Sequence, residues 1–246
     1  QVSDQNGFFE IFGFKMKKGR TTRYAILTGE SEPITTKLIS ESVKDGMVVF
    51  DLGANIGIFT VLLSKLVGKN GQVYAFEPDP ELNEILKQNV VNNNLQNVFV
   101  YSYAISDQSK KSKFSINHKQ DGDNRLDSST MTQDMVDVET ITLDEFCKKN
   151  NILPDFLKMD IQGSEPKAIR GMKNTLRNCS KIKIISEFYP DAIIDVGDSP
   201  NEFLEMLNKL GFTIKMIDEK SKRIIPIEKE KFLKMKNEWP NLYCYK

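Results

Sequence analysis

The segment Val48–Phe59, VVFDLGANIGIF, constrains this chain more than any other stretch of it. Three apolar residues, Val48, Val49 and Phe50, lead into Asp51, and small residues crowd the turn that follows: Gly53, Ala54, Asn55 and Gly57. An apolar stretch of helical character comes next. The pattern predicts a strand, a glycine loop and the start of a helix, the arrangement by which α/β proteins turn backbone N–H groups toward a nucleotide-like ligand. The same letters also describe a strand–turn–helix whose glycines serve tight geometry alone.

The spacing of the glycines selects among ligands. Dinucleotide folds carry G-x-G-x-x-G, which sets the pyrophosphate on the helix N-terminus. Here the glycines read G-x-x-x-G, and a carboxylate, Asp51, closes the strand just ahead of them. A carboxylate in that place repels a pyrophosphate. It suits a ligand carrying an ammonium and a sulfonium, as S-adenosylmethionine does. Residues 71–78, GQVYAFEP, extend the logic with a turn, an apolar alternation and then Glu77. An acid about twenty residues past the glycine loop ends the second strand of a nucleotide-binding unit and accepts from both ribose hydroxyls. Pro78 and Pro80 stop that strand and leave the carboxylate at its mouth. The cofactor-binding candidates are Asp51, Gly53, Ala54, Asn55, Gly57, Glu77 and Pro78. Ala104, Ile105 and Ser106, with Asp107, follow the third strand and are expected to border the adenine.

A chain of 246 residues with 39% apolar content holds one domain with a modest N-terminal addition. Basic and acidic residues balance at 34 each, so no global field draws the chain to nucleic acid or to an anionic membrane. The Lys-rich stretches, Lys15 to Lys18 and Lys229 to Lys236, interleave with apolar or acidic residues and read as solvated faces. No run approaches the roughly eighteen apolar residues of a membrane helix. The sequence starts at Gln1 with no signal-peptide pattern, and further residues are expected upstream. Cys147, Cys179 and Cys244 are odd in number and lack metal spacing. That favours free thiols in a reducing, cytoplasmic compartment over a disulfide frame. No metal-ligand motif occurs, and nothing in the sequence fixes an oligomeric state.

Residues 8–28 alternate loosely around Gly19-Arg20 and predict a β-hairpin, and Pro33 to Val43 have helical spacing. Together they form an N-terminal addition, 1–44, packed on a domain spanning 45–246. Within that domain strands are expected at 48–51, 73–76, 98–103, 156–160 and 182–187. Helices are expected after the glycine loop through Val67, over 80–92, from Thr142 to Asn151, across Ala168 to Leu176, and over 200–210. Strands at 212–217 and 242–245 close the pattern. Repeated βα units followed by a closing pair mean a doubly wound, largely parallel, seven-stranded α/β sheet with a closing antiparallel strand. Residues 108–140 break the rhythm. Polar and rich in Gly, Asp and Asn around Asp121 to Leu126, they read as a long loop able to fold over the crevice as a lid.

Asp51, Glu77, Asp160 and Glu187 each end a strand, and ligands of open α/β sheets bind at the carboxyl ends of the strands. The four acids are therefore expected around one crevice. With Asp51-Leu-Gly-Ala-Asn-Ile-Gly57 and Lys158-Met-Asp-Ile-Gln-Gly-Ser-Glu165 both in place, the chain resembles the FkbM family of S-adenosylmethionine-dependent methyltransferases. The family's first motif, D-x-G-A-N-x-G, is matched in full. Its second, K-[IM]-D-[IV]-E-G-x-E, is matched at Lys158, Asp160, Gly163 and Glu165, with Gly171 shortly after, while Gln162 stands where the family usually has Glu. Glu187-Phe-Tyr-Pro190 is similar to the family's acid-containing end of strand five. The resemblance implies a Rossmann-like class I methyltransferase fold and S-adenosyl-L-methionine as cofactor. It also implies O-methylation of a hydroxyl on a sugar, a glycan or a glycosylated natural product.

An alcohol is a weak nucleophile, so a base within hydrogen-bond reach should help remove its proton. Asp160, Glu187 and His118 are the catalytic candidates. Asp160 equally suits the cofactor's ammonium. His118, the one histidine, is of the residue type that exchanges protons near neutral pH, though a loop histidine is also an ordinary surface residue. Asp123, Asn124 and Arg125 offer acceptors, donors and a fixed cation to a sugar; Lys158 is placed for the substrate or for an ion pair with Asp160 or Glu187. Rival readings are a non-catalytic S-adenosylmethionine-binding protein and a methyltransferase of non-sugar small molecules. An NAD enzyme is disfavoured by the missing G-x-G-x-x-G. A nucleic-acid methyltransferase is disfavoured by the charge balance and by the lack of an Asn/Asp-Pro-Pro-Tyr/Phe motif.

Overall fold

The computed structural model of the chain describes residues 7–20, 32–120, 122–131, 134–233 and 239–246. The first elements are β1 (Phe8–Ile11), β2 (Phe14–Lys17), α1 (Pro33–Ser42), β3 (Val48–Leu52), α2 (Ile58–Val67), β4 (Gln72–Phe76), α3 (Pro80–Asn92) and β5 (Val98–Tyr101). Next come β6 (Tyr103–Ile105), β7 (Lys111–Ser115), β8 (Arg125–Leu126), β9 (Met135–Ile141), α4 (Leu143–Asn150), β10 (Phe156–Met159), α5 (Glu165–Gly171) and α6 (Lys173–Asn178). The last are β11 (Lys183–Glu187), α7 (Pro190–Asp195), α8 (Pro200–Lys209), β12 (Thr213–Asp218), β13 (Arg223–Pro226), α9 (Lys229–Phe232) and β14 (Asn241–Tyr245).

Strands read as near-continuous apolar runs because both faces of their sheet are covered. Along β3, Phe50 and Leu52 face one core, with Leu157, Met159 and Ile184, while Val49 faces the other, with Val73, Ala75, Phe156 and Ile185. The large sheet runs β13-β12-β14-β11-β10-β3-β4-β5. The five strands from β11 to the edge strand β5 are parallel, and β14 runs antiparallel between β11 and β12. The sheet has eight strands rather than the expected seven. The additional edge strand, β13, hairpins back on β12 beyond Lys222 at φ 55°, and its short apolar content is masked by the charges around it. Chain order reverses between β3 and β10, and a crevice opens at such a switch point.

Three expectations change. Residues 108–140 do not form a polar loop: β6, β9, β7 and β8 make a second sheet of four strands. Along β7 the lysines point out while Ser112 and Phe114 are buried, and Val138 and Thr140 are buried along β9. The segment is also tied down, because Asp195 of α7 accepts from Ser129 Oγ at 2.8 Å and from the Thr130 N–H at 2.9 Å. It is a wall, not a free lid. The strand expected over 98–103 divides at Ser102, and its second part leaves the large sheet to pair with β9. The N-terminal hairpin turns at Phe12-Gly13, both at positive φ as a two-residue hairpin turn requires, and not at Gly19-Arg20. Tyr24, Ile26 and Leu27, assigned to that hairpin, lie outside the described residues.

The hairpin sits on α3, where Asn89 and Asn93 offer side-chain oxygens to the N–H groups of Lys17 and Lys15. At the start of α1, Glu219 accepts from the N–H groups of Ile34 and Thr35, both at 2.8 Å. Among the described residues no helix is long and apolar enough to cross a membrane.

Candidate active site

A cleft with about 590 Å³ of empty space lies over the carboxyl ends of β3, β4 and β10. The glycine loop gives it Gly53 and Asn55, the end of β4 gives Phe76, Glu77 and Pro78, and β6 gives Tyr103, Ala104 and Ile105. Asp160, Ile161, Gln162 and Ser164 enter from the loop after β10, and Phe114, Gly122, Asn124 and Leu126 from the small sheet.

The loop shape is fixed by close approach. Gly53 sits at φ 78°, and a Cβ there would lie 1.8 Å from the Asp160 carbonyl oxygen. The Gly53 and Ala54 N–H groups both donate to the Phe76 carbonyl at 3.0 Å. Asn55, also in the left-handed region, donates its N–H to Glu77 Oε2 at 2.7 Å, while Glu77 Oε1 accepts from the Asp79 N–H at 2.9 Å. Glu77 thus clamps the loop to β4 and still has lone pairs for a ligand, since a carboxylate offers about four acceptor positions. Burial pushes its carboxyl up to about 8, against the pull of the Asp79 and Asn55 N–H groups. Asp51 is 1% exposed; Thr60 Oγ1 donates to its Oδ2 at 2.6 Å, and its buried Oδ1 has no hydrogen-bond partner among the described residues. Burial raises the Asp51 carboxyl, with Lys158 and Thr60 countering.

A second cluster joins the ends of β10 and β11. The Gln162 side-chain amide donates to Asp160 Oδ1 at 2.6 Å and to Glu187 Oε2 at 2.7 Å, so one amide bridges two carboxylates. Lys158 Nζ contacts Asp160 Oδ2 at 3.1 Å and lies 4.8 Å from the centre of the Phe59 ring. Burial pulls the Lys158 ammonium down, but the charges of Asp160, Asp51 and Glu32 hold it above its ordinary value. Glu187 is raised well above the usual carboxylate range by burial, then by Asp160, Glu165 and Glu32. Glu165 accepts from the N–H groups of Ile161 and Gly163, at 3.0 and 2.8 Å, and so shapes the loop that carries Asp160 and Gln162. Burial pushes the Glu165 carboxyl up to about 7.

These raised carboxyls predict a pH dependence. A glutamate at about 4.3 when unfolded and near 7 to 8 when folded takes up a proton on folding between those values. Its contribution to stability is full below the ordinary carboxylate range and is lost as pH rises through the folded value. The urea midpoint is expected to fall between pH 5 and pH 8.5; a midpoint that stays flat or rises across that window contradicts the assignment.

The other sequence candidates spread out. Ala104 and Ile105 line the cleft, whereas Ser106 is buried with Gly171 packed against its carbonyl. Ala54 is buried behind the loop, and Gly57, at φ 95°, caps α2. Asn124 lines the cleft and donates to Asp79 Oδ2 at 2.9 Å. Arg125 is 8% exposed and committed to Asp123 at 2.7 Å and Asp195 at 3.1 Å, which makes it a brace between the small sheet and α7. His118 is an exposed turn residue 3.7 Å from Asp134, outside the cleft lining. Sequence reasoning missed Tyr103, Phe114 and Leu126, for which the Lys111–Ser115 alternation was the available signal, and Glu32, for which there was none. Glu32 Oε2 accepts from the Asn241 amide at 2.7 Å. Among the described residues no group of three or more His, Cys, Asp or Glu is arranged to hold a metal ion.

These features fit S-adenosylmethionine. Gly53, held against the Asp160 main chain, and the acceptor carboxylate of Glu77 line one switch-point cleft with Asp160. Asp51, buried behind the loop, and Glu187 do not line it, so two of the four acids expected there reach it. Comparison with known proteins agrees. Residues 51–214 match the Methyltransferase FkbM domain. Hexuronic acid methyltransferase AglP of Haloferax volcanii is 27% identical over 185 residues, 74% of this chain and 70% of its own length. The 2-O-methyltransferase NoeI of Sinorhizobium fredii is 26% identical over 183 residues, 67% of this chain and 72% of its own. Among solved structures, precorrin-6y C5,15-methyltransferase of Geobacter metallireducens superposes with a TM-score of 0.51 at 13% identity, covering 100% of both chains. An S-adenosylmethionine-dependent O-methyltransferase of Thermotoga maritima gives 0.51 at 14% identity, covering 98% of this chain and 77% of its own. At such identities the superpositions speak for the fold alone.

Proposed function

The chain belongs to the FkbM family of S-adenosylmethionine-dependent methyltransferases, and from that premise we propose that it O-methylates a hydroxyl of a sugar or glycan, with Asp160 as the base. The observation that carries the reading is the meeting of glycine loop, Glu77 and Asp160 in one cleft. The names of the two relatives, one citing hexuronic acid and the other 2-O-methylation, support a sugar hydroxyl as the acceptor. The balance of 34 basic and 34 acidic residues supports a small molecule or glycan over nucleic acid. Three free, buried thiols support a reducing, cytoplasmic setting.

When bound, S-adenosylmethionine supplies a methyl group made electrophilic by its sulfonium. Gly53, Asn55 and Glu77 would hold the ribose side, Pro78, Tyr103, Ala104 and Ile105 would enclose the adenine, and Asp51 stands buried behind the loop. Asp160 lines the cleft, and its side chain keeps 32% exposure, so it can reach an incoming hydroxyl. With the cofactor bound to supply the methyl group, Asp160 would accept the O–H proton of the acceptor hydroxyl on a carboxylate oxygen and pass it to solvent. Lys158 supplies the fixed counter-charge at 3.1 Å. Glu187 is not among the residues lining the cleft and accepts from the Gln162 amide, so it supports Asp160 rather than serving as the base.

Asp160→Asn is expected to lower turnover by about 10²- to 10⁴-fold, as for loss of a general base. Affinity for S-adenosylhomocysteine should change no more than a few fold. The measurement is transfer of labelled methyl to a panel of sugars, with calorimetry of the product thioether. A variant that turns over at the parent rate removes Asp160 from this role.

A further inference from the structure

Trp239, the only tryptophan of the chain, stays 45% exposed at the carboxyl-end side of the large sheet, just ahead of β14. Its ring centre lies 4.8 Å from that of Tyr189, with the planes at 41°. The Arg125 guanidinium lies 5.1 Å from the Tyr189 ring and is itself fixed by Asp123 and Asp195. The Tyr189 ring therefore contacts both a braced cation and the exposed indole.

Its place in the fold is set by strand register. Glu187, at the end of β11, pairs with Asn241 at the start of β14, and the Phe188 N–H donates to the Pro240 carbonyl at 2.9 Å. Tyr189 and Trp239 thus stand within two residues of the strand ends that carry Glu187 and Asn241. The same Gln162 amide reaches Glu187 and Asp160, and Arg125 is flanked by the cleft residues Asn124 and Leu126. An exposed aromatic face two residues from the strand ends of Glu187 and Asn241 suits a pyranose, which has apolar C–H faces and a hydroxylated rim. Indole and phenol rings present large apolar area at fixed geometry, which suits them to such a surface.

We propose that Trp239, backed by Tyr189, is the stacking platform for the acceptor's sugar ring and sets one ring hydroxyl toward Asp160. This rests on the sugar reading above and extends it to a site outside the cofactor cleft. Because Trp239 is the sole indole, its fluorescence reports directly on the platform.

The test titrates the protein, saturated with S-adenosylhomocysteine, with methyl β-D-glucuronide and methyl α-D-glucopyranoside. It then compares parent, Trp239→Ala and Trp239→Phe for methyl transfer to whichever sugar accepts. A saturable change in indole emission is expected. Trp239→Ala should raise the sugar KM at least tenfold with kcat within about threefold and thioether affinity unchanged, and Trp239→Phe should recover most of the loss. If a sugar is methylated but Trp239→Ala keeps its KM within twofold, or saturating sugar leaves the emission unmoved, the platform is wrong and the sugar reading stands. If neither sugar is bound or methylated while S-adenosylhomocysteine binds, both fall together.

Discussion

Gly53→Ala is expected to destabilise the protein by roughly 2–5 kcal/mol and to weaken S-adenosylhomocysteine binding at least tenfold. Two costs combine. Gly53 sits at φ 78°, where an L-residue is strained by about 1–2 kcal/mol. The added methyl would also lie 1.8 Å from the Asp160 carbonyl oxygen, which is main chain at a strand end and cannot swing aside. Forcing a methyl into such a contact costs typically 1–3 kcal/mol in backbone shift. The shift would move Asp160 together with the glycine loop, so cofactor and acceptor sides suffer at once. Gly57→Ala is the informative contrast: its Cβ would meet the Leu86 side chain at 2.5 Å, a flexible end rather than backbone. Its defect should be milder and weighted toward stability. Urea titration with calorimetry reads both variants, and a Gly53→Ala protein with parental midpoint and affinity would overturn the close-approach argument.

The parallel half of the fold was legible because its signals are local. A proline and an N-cap aspartate mark α3, whose bounds match the reading over 80–92, and Thr142 caps α4 as expected. The small sheet was hidden for a physical reason. Its strands are short, one face is solvated, and Gly122 and the Asp/Asn cluster around it outweigh the alternation of Lys111–Ser115. Pairing between β6 and β9 spans more than thirty residues, and no local pattern encodes such a contact. Within the site, acids at strand ends were legible because the switch-point rule concerns backbone position. What each acid does was not. Glu77, Asp51 and Glu187 differ through burial and neighbours: one clamps a loop, one lies beneath it half-satisfied, one shares an amide with Asp160. Arg125 shows the converse, since a cation in a polar stretch reads as a ligand until Asp123 and Asp195 are seen to claim it.

Glu77→Ala should cost S-adenosylhomocysteine a hundredfold or more in affinity. Hydrogen bonds to a charged group are worth about 1.5–3 kcal/mol each, and the proposed role has the side chain accept two from ribose. The same change strands the Asn55 and Asp79 N–H groups, so the empty loop loosens as well. Glu77→Gln separates these effects: one oxygen still accepts, while the amide NH₂ confronts a backbone donor and the charge is gone. Its affinity should fall between those of parent and alanine variant. The raised carboxyl adds a signature that simple loss of shape would lack. Near pH 6 the buried Glu77, at about 8, is protonated, and ribose hydroxyls donate best to its ionised form. Binding therefore releases a proton, and parental affinity should climb as pH rises from 6 toward 8, then level off. Calorimetry in two buffers of different ionisation enthalpy at pH 7 measures that release directly. It should be present in the parent and absent in Glu77→Gln. Equal heats in both buffers for the parent protein, or an alanine variant that binds as tightly as the parent, would remove Glu77 from the ribose.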